Sequence, residues 1–160
     1  MYWSRLDSGN SGRIFRAEMD GSNPEEFITG LNLPNALAID FVSRRLFWTD
    51  YGTNQIKSSD LNGSDVQLVI QLKGENRRPT GIQVNDGHLV WSSDSDLSML
   101  LRSSDEAGHD VRTLYKTDFI HGMTIAKPNS VQTRRNDCEG QKCSPGICVL
   151  NRNSFRCIEY

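Results

Sequence analysis

The chain has 160 residues, of which 36% are apolar, and a formal net charge of −2 with acidic and basic side chains interspersed. This distribution excludes a basic face for nucleic acid or for an anionic membrane surface. No apolar run is long enough to cross a membrane, so we expect any membrane anchor to lie beyond residue 160. The first residues lack the charged and apolar regions of a signal peptide, so we expect the chain to be part of a longer protein.

Three segments of the chain share one pattern around a tryptophan. In chain order they are "MYWSRLDSG", "RLFWTDYG" and "HLVWSSDSD". Trp48 follows Trp3 by 45 positions, and Trp91 follows Trp48 by 43. Repeats of this length are typical of β-propeller blades or of helical arrays.

Short strands rather than helices are predicted within each repeat. The segments "ALAIDF", "TGIQVN" and "GMTIA" place apolar residues at alternate positions, which is the period of a half-buried strand. The turn sequences "MDGSN", "LNGSD", "NDGH" and "EAGHD", which contain Gly with Asn or Asp, separate the strands. Four short strands in each repeat predict a propeller blade and an all-β fold.

The segment "LPNALAIDFVSRRLFWTD" resembles the YWTD repeat, also called the LDL-receptor class B repeat. The resemblance covers about residues 1–133, and only the middle copy of the tetrad is complete. Arg5 stands at the acidic position of the first copy, whereas Ser93 stands there in the third and Asp94 follows one place later. This family builds six-bladed propellers, so the resemblance implies about three blades, or half a ring. Further blades or a second copy of the chain would be needed to close it.

The tetrad residues are expected to support the fold rather than to catalyse a reaction. Aromatic side chains on a short strand fill the space between neighbouring sheets, and each contributes about 2 to 3 kcal/mol on burial. An acid at the strand end can accept hydrogen bonds from backbone amides or pair with an arginine, as we expect for Asp40 and Asp50. We expect no catalytic or metal-binding residue and no cofactor. The motif residues with this structural role are Tyr2, Trp3, Asp40, Phe47, Trp48, Thr49, Asp50 and Trp91.

All four cysteines lie near the C-terminus, where the composition changes. They are Cys138, Cys143, Cys148 and Cys157. The even number and the lack of nearby histidine favour disulfides over a zinc site, and the residues alone leave every connectivity open. The spacing resembles the first part of an EGF-like module, and that resemblance implies the pairs Cys138–Cys148 and Cys143–Cys157.

Disulfides indicate an extracellular or secretory-pathway location for the chain. The triplet "NGS" agrees, because Asn62 is an N-glycosylation acceptor in a predicted exposed turn. His121 is a candidate pH switch, because histidine titrates near about pH 6.5 and could be protonated at a blade interface.

These features predict a partial YWTD propeller at residues 1–133, followed by a partial EGF-like segment at residues 134–160. By resemblance, we expect a non-catalytic extracellular module that binds protein ligands, within the ectodomain of a lipoprotein-receptor-related endocytic receptor of the plasma membrane. The alternative is a secreted, nidogen-like matrix protein that binds laminin-type partners. A calcium-dependent propeller hydrolase is less favoured, because nothing indicates an asymmetric site of converging polar residues.

Overall fold

The computed structural model divides the chain into two compact units, Met1–Ile125 and Ala126–Tyr160. It describes residues 1–74, 78–85, 87–94, 99–118, 120, 123, 147–151 and 154–158. All regular structure in these residues is β-strand, which confirms the predicted all-β fold. None of them forms a helix long and apolar enough to cross a membrane. The predicted domain boundary after residue 133 lies outside the described residues.

Three antiparallel sheets follow one another in the first unit, and in each sheet the strands are neighbours in chain order. The first sheet contains β1 (Tyr2–Leu6), β2 (Gly12–Arg16) and β3 (Glu25–Leu31). The second contains β4 (Pro34–Asp40), β5 (Arg45–Asp50), β6 (Gln55–Asp60) and β7 (Gln67–Gln71). The third contains β8 (Pro79–Asn85), β9 (His88–Asp94), β10 (Met99–Asp105) and β11 (Arg112–Thr117). Each sheet is one propeller blade.

The first blade has three described strands, whereas the repeat predicted four. Trp3, Trp48 and Trp91 lie on β1, β5 and β9, so the described residues include no counterpart of β4 and β8 in the first blade. Of the predicted strand "GMTIA", Met123 is described, and it packs against the core between the second and third blades.

Alternate side chains of β5 bury themselves in two different cores. Leu46 and Trp48 pack with Ile14 and Ile28 of the first blade. Phe47 lies on the opposite side of the strand and packs in a second cluster with Ile56, Ile70, Leu72, Ile82, Leu89 and Trp91. The second blade is therefore buried on both faces, which a period of two along the strand makes possible.

Three turns repeat one backbone conformation. The turns at residues 20–23, 62–65 and 107–110, called the glycine turns below, contain Gly21, Gly63 and Gly108 with φ of 85°, 87° and 81°. A residue with φ of 51° or 52° follows each glycine two positions later. Such positive φ values suit glycine in the first case and Asn or Asp in the second. Because the strands of a blade alternate in direction, the β4–β5 turn lies at the same end of the blade as the glycine turns.

The second unit contains one described hairpin, formed by β12 (Ile147–Asn151) and β13 (Ser154–Ile158). The antiparallel register places the Cα atoms of Cys148 and Cys157 opposite each other. Cys138 and Cys143 lie outside the described residues, so the predicted disulfide pairs stay predictions.

Candidate protein-binding surface and its supporting contacts

The aromatic residues of the tetrad are used for packing. Phe47, Trp48 and Trp91 are at most 1% exposed. The indole nitrogens of Trp48 and Trp91 have no hydrogen-bond partner among the described residues, so the rings act as apolar wedges between blades. In the first blade, Trp3 is only half-buried and stacks on Phe15 with ring centroids 5.5 Å apart.

Hydroxyl groups at the third tetrad position make hydrogen bonds within a blade and to the next blade. The Thr49 hydroxyl oxygen accepts a hydrogen bond from the Ala36 amide at 2.9 Å and donates to the Thr80 carbonyl of the third blade at 3.3 Å. The corresponding Ser92 accepts from the Gly81 amide at 2.9 Å. Ser4 occupies this position in the first blade. The sequence carried this signal, because Ser or Thr follows every repeated tryptophan.

The acid of the complete tetrad belongs to a buried ion pair. Asp50 is fully buried, accepts a hydrogen bond from Lys57 Nζ at 3.0 Å, and accepts a weaker one from the Thr53 amide at 3.4 Å. Lys57 was not among the residues expected to matter. With its partner lysine and the Thr53 amide in place, the Asp50 carboxylate serves the fold rather than an open site.

The first and third blades have other residues at the position of Asp50. In the first blade, Arg5 replaces the acid and lies 4.5 Å from the centroid of the Phe15 ring, as a cation–π contact. In the third blade, Ser93 replaces the acid and Arg102 takes the position of Lys57. Ser93 Oγ and Arg102 Nε are both buried without a described hydrogen-bond partner. Burial lowers the pKa of Arg102 below its ordinary value.

Asp40 closes the β4–β5 turn and reaches the third blade. Its two carboxylate oxygens accept hydrogen bonds from the Val42 and Ser43 amides at 3.0 Å. Burial alone would raise the pKa of Asp40, but hydrogen bonds from Ser43, Glu106 and these amides outweigh it and hold the pKa below its usual range. Burial and the hydrogen bond to Asp40 raise the pKa of Glu106. The two carboxyl groups thus form a contact between blades that the sequence did not reveal.

The glycine turns sit in the seams between blades. A Cβ atom at Gly63 would lie 3.3 Å from the Phe27 carbonyl oxygen of the first blade. A Cβ atom at Gly108 would lie 2.2 Å from the Val69 carbonyl oxygen of the second. At Gly21, by contrast, nothing lies within 4 Å of the Cβ position. Each seam therefore places one blade's glycine turn against the last strand of the preceding blade.

Two blade faces remain uncovered within the described part of the chain. Leu114 and Tyr115 follow Gly108 at the same distance as Val69 and Ile70 follow Gly63. Ile70 is 7% exposed, but Leu114 is 53% and Tyr115 63% exposed. The face of the first blade that carries Trp3 and the turn of Gly21 is open as well. The open face of the third blade corresponds to the last-strand side of an internal seam, and the open face of the first blade corresponds to the glycine-turn side.

Other surface features are spread over both ends of the blades. At the glycine-turn end, Phe41 and Val42 are about four-fifths exposed, at 79% and 85%. At the opposite end, Arg13 pairs with Asp7 at 2.8 Å and with Glu26. Exposed apolar pairs and solvated ion pairs both occur at protein–protein contacts, and the ion pairs add little to stability.

Of two further predicted sites, the structure describes one and not the other. Asn62 is exposed in the second glycine turn, where its carboxamide oxygen accepts hydrogen bonds from Ser64. His121 lies outside the described residues, so its role as a pH switch stays a prediction. Among the residues that the structure describes, no group of three acidic, His or Cys side chains is arranged to hold a metal ion.

Known proteins share both the repeat and the fold. Residues 44–84 match the low-density lipoprotein receptor repeat class B. The chain is 30% identical over 152 residues to human low-density lipoprotein receptor-related protein 5, covering 93% of this chain and 9% of that receptor. It is 31% identical over 159 residues to the vitellogenin receptor of Solenopsis invicta, covering 96% of this chain and 8% of that receptor. The chain thus spans less than a tenth of these relatives.

A solved structure agrees with these relatives. A chain in the crystal structure of a nidogen/laminin complex superposes with a TM-score of 0.63 and 25% identity, covering 72% of this chain and 43% of that one. The repeated tryptophans, the shared seams and these similarities together show that the chain is part of a β-propeller, in which residues 44–84 match the low-density lipoprotein receptor repeat class B.

Proposed function

We propose that this chain is a non-catalytic, extracellular protein-binding module of a lipoprotein-receptor-related endocytic receptor. The observation that carries the proposal is the similarity to two receptors over more than nine-tenths of the chain, through the tail as well as the blades. The geometry supports it, because the polar tetrad side chains Thr49 and Asp50 are engaged in internal hydrogen bonds. What the blades offer to a partner is surface rather than a catalytic cleft.

An antibody against the blades tests this location and behaviour in cells that produce the natural protein. A receptor is expected to bind the antibody on intact cells and to carry it into endosomes within minutes to hours. Staining of deposited extracellular matrix without uptake would favour the alternative below. Staining that requires permeabilised cells, with none at the surface, would contradict both extracellular proposals.

The second candidate is a secreted matrix protein that resembles nidogen. The observation that favours it is the superposition on the nidogen/laminin complex structure. The probe is purified laminin, passed over the immobilised chain in a surface-binding measurement. Saturable binding that a variant of the exposed Phe41, F41A, weakens would support this candidate, whereas no binding at micromolar laminin would count against it.

We further propose that more blades of the same kind cover the two open faces, with a second copy of the chain as the alternative. The repeated seam contacts of Gly63 and Gly108 support this, because Gly21 and Leu114 are their unfilled counterparts. Sedimentation of the isolated chain separates the two cases. A monomer at micromolar concentration would favour additional blades, and a dimer would favour a ring of two copies.

We also propose that the second unit is a partial EGF-like segment that is disulfide-bonded. The hairpin of β12 and β13, which brings the backbones of Cys148 and Cys157 together, supports the proposal. Mass spectrometry of unreduced peptides tests the expected pairs, Cys138–Cys148 and Cys143–Cys157. A bond between Cys148 and Cys157, or free thiols in the secreted protein, would contradict that pairing.

A further inference from the structure

The second glycine turn holds an asparagine whose amide nitrogen is available. Ser64 donates two hydrogen bonds to Asn62 Oδ1, from its backbone N–H at 2.9 Å and from its hydroxyl at 2.7 Å. These bonds occupy the carboxamide oxygen and leave Nδ2 without a partner among the described residues. The side chain of Asn62 is exposed, so a large group on Nδ2 can extend into solvent.

The first glycine turn shows that this conformation does not need a carboxamide. Asp20 takes the place of Asn62, and its Oδ1 accepts hydrogen bonds from the Ser22 amide at 3.0 Å and the Ser22 hydroxyl at 2.6 Å. The φ values of Gly21 and Gly63 are 85° and 87°, so the two turns share one backbone form. A carboxylate therefore accepts the same hydrogen bonds in this turn as a carboxamide does. The structure of the turn does not account for an asparagine at residue 62.

We propose that Asn62 carries an N-linked glycan. In the transfer, Nδ2 forms a bond to the anomeric carbon of a lipid-linked oligosaccharide, the bond from that carbon to the pyrophosphate oxygen breaks, and Nδ2 loses one proton. The lipid pyrophosphate leaves with the electron pair of the broken bond. The triplet of residues 62–64 is the sole Asn-X-Ser/Thr in the sequence with X other than proline. This inference rests on the extracellular location proposed above.

The glycan lies beside a cleft at the glycine-turn end of the second blade. Ser43, Arg44, Asp60, Leu61 and Asn62 line this cleft, which has a volume of about 370 Å³. Because the sugar begins at the rim of the cleft, it shields the exposed Arg44 from large molecules. Proteins that approach the glycine-turn end at this blade are therefore kept away from Arg44.

Secretion of the full chain from animal cells, with an added export signal, tests the proposal. The variants are N62D, which copies the carboxylate of the first turn, and D20N, which creates the triplet Asn-Gly-Ser in that turn. Wild type is expected to lose the mass of one glycan on treatment with peptide N-glycosidase, and D20N that of two. N62D is expected to show no change and to keep the melting temperature of deglycosylated wild type, because the enzyme leaves an aspartate behind.

A secreted wild-type chain without a glycan overturns the proposal. If D20N then gains one glycan, the failure belongs to Asn62 alone, and the proposed receptor function is untouched. The shielding has its own readout, the rate of tryptic cleavage after Arg44. Glycosylated wild type is expected to be cut several-fold more slowly than N62D and than deglycosylated wild type. Equal rates for all three would overturn the shielding.

Discussion

Asp50 and Lys57 form an ion pair in the second blade, but the third blade has only the basic residue at the corresponding positions. Arg102 occupies the lysine position, whereas Ser93 has replaced the acid and both side chains keep a buried polar atom without a described partner. An unsatisfied buried donor costs about 1 to 3 kcal/mol. The departure from the tetrad at Ser93 therefore has a cost in stability that can be measured.

Restoring the acid with S93D is expected to stabilise the chain by about 1 kcal/mol, because the new carboxylate can accept a hydrogen bond from Arg102. The second blade shows that a fully buried aspartate is tolerated at this position. Urea unfolding at pH 7 measures the change. S93N is the matched control, since it adds similar volume without charge, and equal stabilities of the two variants would contradict the ion pair.

Glu106 makes stability depend on pH. Its pKa is raised above the ordinary value of 4.5, so the folded chain holds this proton more tightly than the unfolded chain. Stability is thus lost as pH rises from 4.5 through the raised pKa, whereas the contribution of Asp40, whose pKa is lowered, is lost as pH falls from 3.8 through that lowered pKa. Arg45 opposes the shift of Glu106, as does the Ser43 hydrogen bond.

E106Q cannot ionise, so its melting temperature is expected to exceed that of wild type at pH 7, with the difference shrinking towards pH 4.5. Thermal unfolding followed by circular dichroism at several pH values checks this. E18Q, at an exposed acid, serves as the control and should follow wild type throughout. A difference for E106Q that stays constant from pH 4.5 to 7 would mean that Glu106 does not titrate in this range.

The glycine turn is the element that sets how blades fit together. Each turn needs a positive φ, and in the two internal seams it also approaches the backbone of the preceding blade. The turn sequences predicted the first requirement, because Gly with Asn or Asp is typical of such turns. The close approach depends on the neighbouring blade, which no local pattern describes.

Alanine at the three turn glycines is expected to give a graded loss of stability. G21A costs about 1 kcal/mol for the backbone conformation alone, G63A about 2, and G108A about 4, because its Cβ would collide with the Val69 carbonyl. Chemical denaturation of the three variants measures the order. Equal losses at all three positions would show that the seams do not constrain the turns.

At the scale of the whole molecule, two blade faces are uncovered within the part of the chain that the structure describes. The third blade exposes Leu114 and Tyr115 where the second blade partly buries Val69 and buries Ile70. Exposed apolar faces of this kind favour association. The stability of the isolated chain therefore reports on its internal seams and not on the outer ones.

A lysine placed on the last strand of a blade shows whether another blade covers that strand. V69K is expected to destabilise the isolated chain by about 2 to 3 kcal/mol, because Val69 packs against the second core, whereas L114K changes it by less than about 0.5 kcal/mol. Denaturation curves of both variants provide the measurement. In a longer chain with further blades, L114K is expected to become as costly as V69K, and an unchanged longer chain would argue against coverage of this face.

The amino-acid sequence by itself determined the repeat, the all-β class and the turns. Trp3, Trp48 and Trp91 recur at intervals of 45 and 43 residues, and alternating apolar residues mark the strands, because the period of a strand is a local property of its backbone. The same local information showed that Asn62 lies in a turn. It also showed the departures at Arg5 and Ser93.

Only the tertiary structure decided which side chains meet across blades. The Asp40–Glu106 contact and the fit of Gly108 against Val69 each join residues from different blades, and Arg102 Nε is buried without a hydrogen-bond partner among the described residues. Whether such side chains meet depends on strand register and on how one sheet stacks against the next. Both are set by the packing of many residues at once, so no short stretch of sequence contains them.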